Sequence, residues 1–199
     1  MHNIRLVSLI LIFMCITSFT SVNAKDHLLD DIVLPAEIQW SLMSKLLLYE
    51  RALAERCEGN FILGILYQGD YPSSLRVKNE LVDAIRKSDV KEIGGNSVVV
   101  IPIDLLQVDS LTDVFSEYEI NHLYLAPMRS PNLRMILEVT SEHRILTFTS
   151  SEDFSNRGVS VGLLLHSNKP SFTVNLVSMK KEGADFSSQV LKLAKIITN

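Results

Sequence analysis

The side chains that could carry acid–base, nucleophilic or metal chemistry are scattered along this 199-residue chain. Histidines stand at 2, 27, 122, 143 and 166, and no pair has the close spacing with which two ligands meet on one metal ion. His122 and His143 each precede an expected strand, which makes them surface turn residues. Cys57 sits in ERCEGN beside two glutamates, which oppose ionisation of the thiol and make it a poor nucleophile. The acidic pairs Asp30–Asp31 and Glu152–Asp153 are adjacent in polar segments. Solvated turns have that form more often than a general acid facing a general base. Lys180–Lys181–Glu182 reads as an exposed connection. The sequence contains no G-x-S-x-G elbow, no G-x-x-x-x-G-K-[ST] loop and no H-E-x-x-H. Its GGN at residues 94–96 precedes a strand instead of opening a helix, so it does not cradle phosphate. No catalytic residue, metal site or cofactor is expected.

Binding is the chemistry that remains, and the elements decide where it can occur. From Pro35, PAEIQWSLMSKLLLYERALAER repeats apolar residues at helical spacing and reads as the longest helix, with proline in its first turn. Trp40, Met43 and Tyr49 widen its apolar stripe beyond one packing face. FILGILY, SVVVIPI, HLYLAP and ILTFTS are continuous apolar runs of strand length, each followed by a polar loop. Helices follow the first three, with Ser73 or Ser74, Ser110 and Ser130 as expected caps. VSVGLLLH and SFTVNL flank the short turn SNKP, an antiparallel hairpin, and FSSQVLKLAKII closes the chain as a helix capped by Asp185 or Ser187. The predicted fold is α/β: a three-layer sandwich whose mostly parallel sheet ends in an antiparallel hairpin and a C-terminal helix. Loops at the carboxyl ends of parallel strands form the ligand-facing edge of such sheets. That edge holds Tyr71, Met128, Arg129 and Phe154, which combine apolar area with a cation.

The amino terminus has its own logic. A short cationic start at Arg5, the run LVSLILIFMCITSF, and small residues Val22 and Ala24 have the order of a secretory signal cleaved after Ala24. The apolar run is shorter than the ~20 residues that span a bilayer, so no stable membrane anchor is expected once it is removed. Residues 25–199 then form one domain, with 18 basic against 23 acidic residues and a net charge of −5. That sign excludes nucleic acid as a partner. Cys57 alone remains, so no intramolecular disulfide is expected to form in an oxidising compartment.

The last third resembles the YfiR family of periplasmic regulators. ILTFTSSEDFSNRGVSVGL, PSFTVNL and KKEGADFSSQVLKLAKII match its patterns, with Gly158, Gly162 and Asn175 at motif positions. LPAEIQWSLMSKLLLYERAL and FILGILYQGDYPSS fit as well. Val159 replaces the second family glycine, and the cysteines that bridge the best-known members are missing, which marks a divergent branch. The resemblance implies a dimeric, non-catalytic periplasmic domain that restrains a membrane signalling protein, of diguanylate cyclase or histidine kinase type, by binding its sensor domain. Trp40, Met43, Tyr49, Tyr71, Arg129 and Phe154 are the expected contact residues. The order GILYQGDYPSS, then NHLYLAPMRSPNLRMILEVTSEHRILTFTS, is also similar to one lobe of an ABC-type substrate-binding protein. The alternative expectation is therefore a small-ligand sensor or carrier.

Overall fold

The computed structural model describes residues 34–129 and 131–198. The expected signal sequence, Asp30–Asp31 and the expected cap Ser130 lie outside the described residues. In chain order the elements are α1 (Ala36–Leu47), α2 (Leu53–Cys57), β1 (Asn60–Tyr67), α3 (Pro72–Lys87), β2 (Glu92–Ile93), β3 (Asn96–Asp104), α4 (Leu111–Glu117) and β4 (His122–Leu125). They continue with α5 (Leu133–Glu142), β5 (Leu146–Thr149), α6 (Glu152–Asn156), β6 (Val161–His166), β7 (Lys169–Asn175), α7 (Leu176–Lys181), α8 (Ser188–Leu193) and β8 (Lys195–Ile197).

One sheet runs β2-β3-β1-β4-β5-β6-β7-β8. The strands β3, β1, β4, β5 and β6 are parallel, while β2 and β7 pair antiparallel to their neighbours. From β1 the chain crosses to β3 on one side, then to β4 on the other. With right-handed crossovers that reversal puts α3 on one face and α4, α5 and α6 on the opposite face. Alternation along β1 feeds both layers: Phe61, Leu63 and Ile65 face the cluster made by α1, α2, α3 and α8, and Ile62 and Leu66 face the α4–α6 cluster. Each such side chain, fully buried, contributes about 1.5–3 kcal/mol of transfer free energy.

Local signals explain the turns. Ser167 and Asn168 both have positive φ, as a two-residue hairpin turn between β6 and β7 requires. Gly158 has φ +114°, a region closed to most side chains. A Cβ at residue 162 would stand 2.5 Å from the hydroxyls of Ser155 and Thr173, which bond each other across it. Asn175 is buried, and its Oδ1 accepts from Val177 and Ser178 N–H groups at 3.1 Å, capping α7. At these three positions the side chain, or its lack, serves local backbone geometry and packing. Pro102 lies on β3 where its N–H would face away from β1, since Leu105 N donates to Tyr67 O and backbone direction alternates. β2 pairs only with Asn96 and Ser97, so the outer side of β3 beyond them is open, and it lacks a donor at Pro102, which blunts it against pairing with another strand.

Several expectations are corrected. The first helix ends at Leu47, and α3 is the longest helix. The chain unwinds because Glu50 pairs with Phe186 as an isolated bridge, while Arg51 N and Ser187 N bond Asp185 O and Tyr49 O. Neither glycine nor proline marks that break. Ser74 does not cap α3. It sits inside the first turn and accepts from Gln68 N at 2.9 Å. Asn132 caps α5 and Ser110 caps α4. The closing helix stops at Leu193, and Lys195–Ile197 adds a strand parallel to β7, so the hairpin does not end the sheet. Among the described residues no helix is long and apolar enough to cross a membrane.

Candidate functional site

The strand order reverses between β1 and β4, and an open α/β sheet has its natural crevice at the carboxyl ends of such a pair. Here that position is filled by the chain itself. Gln68 follows β1 and accepts from Arg129 N at 2.9 Å, tying the two diverging loops together. The Arg129 guanidinium lies 4.8 Å over the Tyr71 ring, a cation–π contact at the rim. Asp104, at the end of β3, accepts from Gly69 N at 3.0 Å and Leu106 N at 3.1 Å. Gly69 is needed for that approach, since a Cβ there would meet Asp104 Oδ2 at 2.2 Å. Behind the rim, Tyr124 OH lies 2.6 Å from Gln39 Oε1 and 2.7 Å from Ser150 Oγ, joining α1 to the ends of β4 and β5. Burial pushes the Tyr124 phenol up, so it stays protonated and donating.

Two of the expected contact residues, Tyr71 and Arg129, meet on this edge. Met128 is buried beneath them, and Phe154, in the short helix α6 capped by Ser151, is buried in the α4–α6 layer. Trp40 is 2% exposed and Met43 is fully buried, both in the opposite layer. Tyr49 is 49% exposed, but it lies beside the Glu50–Phe186 bridge at the amino edge of the sheet, away from Tyr71 and Arg129.

Sequence reasoning missed a buried polar cluster at that amino edge. His122, expected in a surface turn, is fully buried and stacks on Phe61 with centroids 4.2 Å apart. Asn121 Nδ2 donates to Asn60 O at 2.9 Å and its Oδ1 accepts from Ile62 N at 2.9 Å, which fixes the amide orientation. Nδ1 of His122, 2.7 Å from that same Oδ1, therefore carries the proton. Burial, with Arg56 nearby, lowers the imidazole pKa well below its ordinary value, so the ring is neutral. Arg56, in α2, is 3.8 Å from the Glu50 carboxylate, and its Nη1 donates to Arg144 O and, at 3.1 Å, to Glu182 O. Glu182 follows α7 and is 1% exposed, correcting the expectation that Lys180–Lys181–Glu182 is an exposed connection; only the two lysines are. Its carboxyl meets Thr147 N at 2.9 Å, Thr147 Oγ1 at 2.8 Å, Ser160 Oγ at 2.5 Å and Thr140 Oγ1 at 3.4 Å. Adjacent lysines on an amphipathic stretch hide such a residue, because the helical face of α7 appears only once its ends are known. The buried Cys57 thiol is pushed up to about 11, chiefly by burial, and is no nucleophile.

A cleft of 690 Å³ lies between α1, the end of α3 and β2. Trp40, Leu48, Val90 and Ile93 are among its walls, and Lys45, Lys87 and Lys91 are balanced by Glu37, Asp89 and Glu92. Among the described residues no group of three His, Cys, Asp or Glu side chains could hold a metal ion.

Comparison with known proteins places this geometry. A family profile described as YfiR/HmsC-like matches residues 63–195. No curated protein matches the sequence. Among solved structures, a conserved domain protein from Vibrio cholerae O1 biovar El Tor is similar with a TM-score of 0.57 at 13% identity, over 82% of this chain and 60% of that one. An ABC domain in complex with L-Trp from Streptococcus pneumoniae is similar with a TM-score of 0.56 at 12% identity, over the same shares of 82% and 60%. The ligand-free, open structure of a substrate binding protein with adhesive properties from Clostridium difficile gives 0.50 at 14%, over 74% and 58%. Identities this low establish the fold alone, and the chain spans about 60% of the first two structures.

Proposed function

The chain belongs to the YfiR/HmsC-like family of periplasmic regulators, and we propose that it is an exported, non-catalytic protein that modulates a membrane signalling protein by binding its periplasmic sensor domain. The partner in this reading is of diguanylate cyclase or histidine kinase type, and a second copy of the chain is a further partner. Residues 1–24 act as the cleaved signal, leaving one domain over 25–199. The observation that carries the reading is the switch point, where Gln68, Arg129 and Tyr71 occupy the place of a ligand crevice and present an outward Arg–Tyr pair. Arginine and tyrosine are, with tryptophan, the side chains enriched at the energetic centres of protein interfaces.

The test is capture of membrane proteins from the native host by the purified domain, comparing wild type with Tyr71→Ala and Arg129→Ala. Each substitution is expected to weaken capture of a sensor protein by about fivefold or more, corresponding to over ~1 kcal/mol at an interface centre. Equal capture by all three proteins would sink the assignment of this surface.

The 690 Å³ cleft beside Trp40 favours a second reading, a small-ligand sensor or carrier, because its size is that of metabolite sites. That reading expects saturable thermal stabilisation by a metabolite, about 2.7 kcal/mol at a hundredfold excess over Kd. A melting temperature unmoved by any compound of a metabolite library would count against it.

A further inference from the structure

The amino-edge cluster buries two carboxylates, Glu50 and Glu182, around one cation, Arg56. With both acids ionised and His122 neutral, the cluster holds one uncompensated negative charge away from water, a state that is relieved by taking up a proton. The hydrogen-bond directions decide which acid takes it. Glu50 Oε1 accepts from the N–H groups of Ala52 and Asp185, each at 3.1 Å, and its other oxygen faces Arg56. Among the described residues that second oxygen has no acceptor beside it, so a proton placed there would face the guanidinium unpaired, and Glu50 is held as the anion.

Glu182 is surrounded differently. Thr147 N is its one fixed donor, and the other three contacts are hydroxyls, which accept as readily as they donate. Thr140 Oγ1 already donates to Leu137 O at 3.1 Å, so its lone pairs are available to a proton on Glu182 Oε1, 3.4 Å away. The cage therefore satisfies the neutral carboxyl as well as the charged one. These contacts fasten the end of α7 to α5, β5 and the start of β6. The charged groups facing this point from other elements are Arg56 and, beyond it, Glu50 from the α1–α2 side, and Arg144, whose guanidinium borders Gly183. Glu142, Arg157 and Lys181 rim the 760 Å³ cleft between α5 and α7 that Glu182 also lines.

We propose that Glu182 is a proton-dependent latch that holds the α7–α8 segment on the sheet in acid and loosens it toward neutrality. Burial, opposed by the hydroxyls and Arg56, raises its pKa from 4.5 to about 7. A carboxyl raised in the folded state makes that state strongest in acid. Latched stability falls as pH climbs from the exposed value to the folded one, and is constant above it. In an exported protein such a latch would make the α5–α7 face responsive to external acidity. The latch itself stands whether or not a sensor protein binds there.

The experiment is a carboxyl NMR titration of the full folded domain carrying 13C-labelled glutamate, with the Glu182 signal identified by its disappearance in Glu182→Gln. It is paired with native-state amide exchange of residues 176–187, corrected for the intrinsic pH dependence of exchange. Glu182 is expected to titrate within about one unit of 7. Opening of the segment should become about tenfold more frequent per pH unit between 5 and 7, the slope of one released proton, and then level off. In Glu182→Gln opening should be flat with pH. A Glu182 titration below pH 5, or the same pH slope in the variant, would overturn the latch. If the variant does not fold, a wild-type spectrum with no glutamate titrating between 6 and 8 overturns it by itself.

Discussion

Replacing Arg56 with leucine is expected to lower the unfolding free energy by about 3–5 kcal/mol at pH 7.5, the range for removing one partner of a buried ion pair. The loss should shrink at pH 5. The Arg56 side chain is 5% exposed and that of Glu50 is fully buried, so water cannot replace the missing cation. Burial already raises the Glu50 pKa above 4.5 despite the backbone donors and Arg56, and raises that of Glu182 to about 7. Without Arg56 both acids rise further. Each then favours the folded state only when protonated, so the penalty is small near the unfolded value of 4.5 and full once pH exceeds the folded values. Arg56 also donates to the exposed Arg144 O and the partly buried Glu182 O, and the second of these would lose a partner at every pH. Urea unfolding at pH 5 and 7.5 separates the two contributions. A loss below about 1 kcal/mol at pH 7.5 would mean the 3.8 Å contact with Glu50 carries no net stabilisation, as is common for exposed pairs.

That cluster also marks where the sequence ceases to be readable. The parallel strands were legible because each is a continuous apolar run, buried on both faces in FILGILY and HLYLAP. The antiparallel hairpin was legible because Ser167–Asn168 tolerates positive φ. The break after Leu47 was not, since it comes from contacts with Asp185–Ser187, 134 or more residues away, and leaves no local mark. Lys195–Ile197 likewise continues an apolar helical pattern but pairs with β7, a tertiary choice that overrides local periodicity. Burial of His122 and Glu182 was hidden for the same reason, as His122 packs against Phe61 and Phe148 of two other strands and Glu182 is bonded by Thr140, Thr147 and Ser160 from α5, β5 and the start of β6. On the carboxyl edge, the loops holding Tyr71 and Arg129 could be placed from strand order alone. Their contact could not, because it depends on Gln68 turning the β4 loop back over β1.

Trp40→Ala should destabilise the domain by about 3 kcal/mol, at the low end of the 3–5 kcal/mol range for deleting a buried aromatic ring. The ring is 2% exposed, lies 6.4 Å from Phe61 between centroids, and belongs to the layer shared by α1, α3 and the sheet. The reason for the low end is its indole N–H, which is buried with no hydrogen-bond partner among the described residues and so costs about 1–3 kcal/mol that the alanine removes together with the ring. Trp40→Phe separates the two effects. It keeps an aromatic body and removes the unpaired donor, so its cost should stay under about 1.5 kcal/mol. If the two substitutions were equally damaging, the indole N–H would have to be bonded after all. The same pair divides core from surface. As the tryptophan is internal, loss of partner capture by Trp40→Ala should follow its loss of folded protein, and Trp40→Phe should capture as wild type does. Tyr71→Ala and Arg129→Ala, at the exposed rim, should instead weaken capture with the melting temperature nearly unchanged.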